Sequence, residues 1–102
     1  MYNPNMGKKE IIRKMLANKE KIRRYDVERI GVFGSFVKGT ATKTSDIDIL
    51  VDFRHKTFDN YMDLKFFLEG LFKKNVDLVI SGALKPRLRP LILKEVDYVK
   101  GL

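Results

Sequence analysis

Apolar residues recur along the chain in two rhythms, one near 3.6 residues and one near 2. From Lys8 to about Tyr25, Ile11, Ile12, Met15, Leu16 and Ile22 fall on one side at helical spacing while basic residues fill the other. That is the pattern of an amphipathic helix. "VERIGVFG" (Val27 to Gly34) reads as a short strand ending at a Gly-Ser turn, "SFVKG" as a brief helical turn closed by Gly39, and "TATKT" as a polar loop. "DIDILVDF" (Asp46 to Phe53) alternates as far as Leu50 and Val51 and predicts a second strand. Between Asp59 and about Lys74, Tyr61, Leu64, Leu68 and Leu71 form a stripe in steps of three and four, widened by Phe67 and Phe72. A second helix is expected there, N-capped by Asp59 and slightly weakened by Gly70. "NVDLVIS" (Asn75 to Ser81) predicts a third strand. In "KPRLRPLILKEVDYV", Leu88, Leu91, Ile92 and Val96 predict a short helix that Pro90 begins or kinks. The order of elements predicts a small α/β fold, a mixed sheet of three or four strands flanked by helices.

Composition narrows the chemistry. A chain of 102 residues, 44% apolar, is expected to be a single domain, residues 1–102, and to bury roughly two-thirds of its unfolded surface. With no Cys there are neither disulfides nor thiolate metal sites, and His55 alone cannot build a histidine zinc site. No apolar run approaches the ~20 residues of a membrane span, and "MYNPNMGKKE" lacks a signal-peptide core. A cytoplasmic location is the expectation. The net charge of +8 points to a polyanionic partner such as nucleic acid, nucleotide phosphates or an acidic protein face. Nine Lys or Arg lie between Lys8 and Arg29 against four acids, which fits a solvated helix face as well as a binding patch.

The chemistry concentrates in "FGSFVKGTATKTSDIDILVDF", Phe33 to Phe53, where Gly34-Ser35 precedes Asp46-Ile47-Asp48 by ten residues. Alternation along a strand puts Asp46 and Asp48 on one face, with Cα atoms roughly 6.6 Å apart. Side chains at that spacing can bracket cations about 3.5–4 Å apart, the separation used in two-metal phosphoryl-type transfer. A divalent cation would relieve the mutual repulsion of the two carboxylates. Oxygen-only ligands favour magnesium or manganese over zinc. Asp52 shares their parity but lies about 13 Å beyond Asp48 along the strand, outside any such cluster. Asp77 is the better third ligand, because a neighbouring strand sits about 4.8 Å away; an exposed Asp at a strand start is the competing reading. Gly34 and Ser35, where a strand turns into a helix, offer backbone N–H groups and a hydroxyl to a phosphate, although a lone Gly-Ser is usually just a turn.

"GSFVKGTATKTSDIDILVDF" resembles the Gly-Ser, ten-residue, Asp-x-Asp signature of the nucleotidyltransferase superfamily that includes DNA polymerase beta. The short length and the "KPRLRPLILKEVDYV" ending are similar to the minimal nucleotidyltransferase (MNT) antitoxins. The resemblance implies a polymerase beta palm-like fold. It implies that Asp46, Asp48 and Asp77 hold magnesium, two ions in the superfamily pattern, and are the catalytic acids. Gly34 and Ser35 would contact the triphosphate of the nucleotide, with Asp77 also helping to remove a proton. Lys38 stands where members often carry Arg; its charge is kept but not the planar two-pronged geometry. In the antitoxin branch the enzyme transfers AMP from ATP to a tyrosine of a partner HEPN-domain toxin, an RNase. Two other classes remain open: an antitoxin that masks the toxin by contact alone, and a nucleotide-adding or nucleic-acid-binding module suggested by the basic helix. Arg87 and Arg89 should face solvent or the cleft, and Tyr61 and Tyr98 are expected in the core or at an interface.

Overall fold

The computed structural model describes residues 7–102. Residues 1–6, part of the stretch read above as lacking a signal-peptide core, lie outside the described residues. Helices α1 (Lys8–Ala17) and α2 (Lys19–Arg23) lead into strand β1 (Val27–Phe33), then the one-turn helix α3 (Ser35–Lys38) and β2 (Ile47–Phe53). A long helix α4 (Phe58–Phe72) connects β2 to β3 (Val76–Ile80); a 3₁₀ turn at Ser81–Ala83, helix α5 (Arg89–Glu95) and the two-residue strand β4 (Asp97–Tyr98) follow. The strands form one sheet in the order β3-β2-β1-β4. Strand β1 runs antiparallel to both β2 and β4, and β2 runs parallel to β3. The chain thus adopts the expected α/β fold, and of the three or four strands expected in the mixed sheet it forms four.

Strand parity decides what each face of the sheet does. Ile47, Ile49 and Val51 of β2, Val76 and Leu78 of β3, and Ile30 and Val32 of β1 all bury toward one side. There they meet Ile11, Met15 and Ile22 of the first two helices and Leu64, Leu68 and Phe72 of α4 in one core. Fully burying a side chain of this size stabilises by roughly 1.5–3 kcal/mol. The opposite face carries Asp48 and Asp77, next to the buried Leu50 and Phe33.

Four expectations change in detail. The first helix is two: at Asn18 the backbone leaves helical geometry (φ −111°, ψ 22°), and the Asn18 side-chain amide donates to the Lys14 carbonyl at 2.8 Å. An Asn side chain offers the backbone an alternative to the helical ladder, and here it ends one helix and starts the next. The cap of α4 is Thr57, not Asp59, because the Thr57 hydroxyl accepts from the Asn60 N–H at 3.0 Å. Asp59 lies in the first turn, where its charge suits the helix dipole. Helix α5 begins at Arg89, one residue before Pro90, which sits in its first turn; none of its residues is buried, and Leu91 is 67% exposed. Finally, the stretch after α5 pairs with β1: Tyr98 lies opposite Gly31, and the Val99 N–H donates to the Ile30 carbonyl at 2.8 Å. Two residues are too few for alternation to show, so this edge strand carries no sequence signal of its own. Tyr98 is half-buried with the Arg29 guanidinium 4.4 Å from its ring centre, and the Tyr61 hydroxyl donates to the Leu78 carbonyl.

Candidate active site

The site is built where β1 gives way to α3. Phe33, the last residue of β1, pairs with Asp48 of β2, so the next residue, Gly34, turns directly beside the Asp48 carboxylate. Gly34 adopts φ 77°, ψ −147°, a conformation that non-glycine residues rarely adopt. A Cβ there would also run into the Asp48 side chain. The Gly-Ser corner and the Asp-x-Asp strand are thus two halves of one packing arrangement, and glycine is required on both counts. The Gly34 carbonyl takes the N–H groups of Val37 and Lys38, each at 3.0 Å, and Gly39 closes the turn in left-handed geometry at φ 77°. Gly34 is the N-cap of α3 and has no side chain to bond the turn. The loop into β2 is held by Thr42 and Ser45, which bond each other's backbone and side chain at 2.8 and 3.0 Å.

Parallel pairing sets Asp77 opposite Asp48 in register, so both project from the face away from the core. Asp46 lies just before β2 and is exposed, as is Asp77, while Asp48 is partly buried. The three acids that the sequence reading selected therefore gather at one end of adjacent strands. Burial, and then the charges of Asp77, Asp46 and Glu95, push the Asp48 carboxyl up to about 6; Lys38 pulls the other way. One face of the sheet thus concentrates negative charge on a group that resists ionising. Among the described residues, no three His, Cys, Asp or Glu side chains are drawn together tightly enough to enclose a metal ion. The donor chemistry nevertheless suits a hard divalent cation: the acids offer only oxygen, and they carry more charge than the adjacent Lys38 offsets.

Asp52 stands apart, as its distance along β2 requires. It accepts from the Ser81 hydroxyl and from Arg29 Nε at 3.1 Å, while Arg89 donates to the Ser81 carbonyl at 2.9 Å. Arg87 is exposed and Arg89 serves this neighbouring network. A shallow depression beside Asp46 is lined by Lys43, Ser45, Glu69, Lys73 and Lys74.

One acid escaped the sequence reading. Glu95, at the end of α5, accepts the Gly34 N–H at 2.8 Å through one oxygen and meets the Lys38 ammonium at 3.3 Å through the other. A single acid in "LKEVD" follows no period and belongs to no motif, so no local signal marks it. Only the return of the chain along β1 as β4 brings it to the corner. Lys38 thus holds a carboxylate of this chain.

Residues 9–99 match the family model of the nucleotidyltransferase domain. The chain is 42% identical over 87 residues to the protein adenylyltransferase MntA of Thermococcus cleftensis, covering 83% of this chain and 88% of that protein. The structure of a candidate minimal nucleotidyltransferase, 34% identical, superposes with a TM-score of 0.78 over 93% of this chain and 98% of that one. A similar fold, at 20% identity and TM-score 0.64, occurs in the complex of a tri-AMPylated HEPN toxin with MNT antitoxin from Shewanella oneidensis; the match covers 93% of this chain and 73% of that one. With the Gly-Ser corner packed on the Asp-x-Asp strand and a third acid in register beside it, the chain belongs to the nucleotidyltransferase family, among its minimal members.

Proposed function

We propose that this one-domain protein is a cytoplasmic, magnesium-dependent protein adenylyltransferase that moves AMP from ATP to a tyrosine of a HEPN-domain toxin and so neutralises it. The observation that carries this reading is the in-register pair Asp48 and Asp77 beside Gly34. Two adjacent carboxylates and a glycine N–H donor would suit a cation and the phosphate chain it accompanies. Similarity to MntA supports the adenylyl donor, and the AMPylated HEPN toxin bound to MNT antitoxin supports the acceptor class.

Asp46, Asp48 and Asp77 would hold the magnesium, which supplies charge neutralisation at the phosphates when bound. The Gly34 N–H, the Ser35 hydroxyl and Lys38 would orient the triphosphate. In the transfer, the tyrosine oxygen forms a bond to the α-phosphorus while the bond from that phosphorus to the bridging oxygen of pyrophosphate breaks. Pyrophosphate leaves with that electron pair, and the phenolic proton passes to Asp77 or to water. Asp77 is exposed on the open face and within reach of solvent.

Incubation of the protein with ATP, magnesium and its HEPN partner should add the mass of AMP to the toxin, located on tyrosine by fragmentation. Asp46→Ala should reduce the rate by on the order of a thousandfold, since cation-held phosphate contacts contribute several kcal/mol to such reactions. If the toxin is silenced while its mass stays unchanged, the protein masks its partner by contact instead.

A further inference from the structure

We infer that Glu95 is an internal stand-in for nucleotide phosphate: it occupies the anion position at the Gly-Ser corner, and nucleotide must displace it to bind. The inference rests on the reading of Gly34 and Lys38 as phosphate-binding groups and adds a residue and a regulatory step to it. Both groups are already engaged, and by one carboxylate. Glu95 Oε2 accepts the Gly34 N–H at 2.8 Å and Oε1 pairs with Lys38 Nζ at 3.3 Å. A carboxylate and a phosphate ask the same of their partners, an N–H donor and a cation. The two cannot hold this N–H together, because a single hydrogen serves one strong acceptor.

The surroundings agree with a replaceable occupant. Through Gly34 and Lys38, Glu95 places a negative charge at the corner where a triphosphate would bring more. Its helix is lightly held, since no residue of α5 is buried. The strand that follows is held by pairing to β1 at Gly31 and Val32. Displacing Glu95 therefore loosens α5 while β4 keeps its place, so occupancy of the corner is linked to the position of a helix exposing Leu91 and Lys94.

The test compares wild type with Glu95→Gln, in which the amide oxygen can still accept from Gly34 but the charge facing Lys38 and Asp48 is gone. Binding of AMP-PNP with magnesium, and of adenosine, is measured for both proteins by calorimetry. The variant should bind AMP-PNP about fivefold to tenfold more tightly, the scale of one partly exposed ion pair and its repulsion, with adenosine unchanged. Equal or weaker AMP-PNP binding, or an equal gain for adenosine, overturns the role of Glu95 while leaving the phosphate reading intact. Absence of AMP-PNP binding in both proteins refutes the phosphate reading and this inference with it. Independently of any variant, hydrogen exchange on wild type should show the α5 amides losing protection when AMP-PNP is added; unchanged protection there also overturns it.

Discussion

Asp48 is the residue on which charge, packing and chemistry meet. Partial burial, and then the charges of Asp77, Asp46 and Glu95, push its carboxyl up from the usual 3.8 to about 6. In the folded state the proton is held more tightly than in the unfolded chain. Stability therefore falls as pH rises from about 4 to about 6, and the penalty is complete above that range. Asp48→Asn should accordingly stabilise the metal-free protein at pH 7.5 by about 1 kcal/mol, a figure reduced for partial solvent screening. That corresponds to about 5 °C in melting temperature for a chain of this size. The gain should fade on acidification and vanish near pH 4, as calorimetric melts across that range would record. A strained carboxylate of this kind in a cleft is a candidate for a functional role.

At the scale of elements, caps and charge runs can be told apart by what their side chains touch. Thr57, not Asp59, bonds the first turn of α4. Thr57→Ala should cost about 1 kcal/mol in urea unfolding, and Asp59→Ala only a few tenths, the scale of an exposed charge at a helix start. The sequence pointed to Asp59 because both residues are good caps, and periodicity does not say which of them leaves the helix. Arg13 pairs with Glu10 and Arg23 with Glu20, each within its own helix, so part of the basic run is spent on local pairing. This favours a solvated face over a nucleic-acid patch in α1 and α2. Periodicity also ran through Asn18, because a side-chain hydrogen bond can break a helix without disturbing its apolar spacing. The candidate site was legible to the extent that it is local: alternation put Asp48 on the face away from Ile47 and Ile49, and the acid in "VDLV" lies opposite it on the partner strand. Glu95 was not legible, because its place depends on a two-residue edge strand pairing with β1.

Across the whole molecule, charge balance and ligand linkage make one expectation. If Asp46, Asp48 and Asp77 hold magnesium and nucleotide only when correctly folded, ligand at a hundred times its dissociation constant should stabilise by about 2.7 kcal/mol. Melting should then rise by about 13 °C, revert on addition of chelator, and show no such rise in Asp48→Asn. A thermal-shift titration with ATP and magnesium checks all three. Among the described residues no helix is long and apolar enough to cross a membrane, and α1, α2 and α4 place their buried residues against one side of the sheet.

The parallel register of β2 and β3 has a bearing on when the protein becomes competent. Asp48 and Asp77 are neighbours only because the intervening α4 has docked and carried the chain back to start a strand in the same direction. Hairpin formation cannot join them, and a nascent β1–β2 ribbon presents only half of the acidic pair. If this pair is the catalytic one, competence requires the docked α4 and the parallel β2–β3 pairing, and an isolated β1–β2 ribbon would be inert.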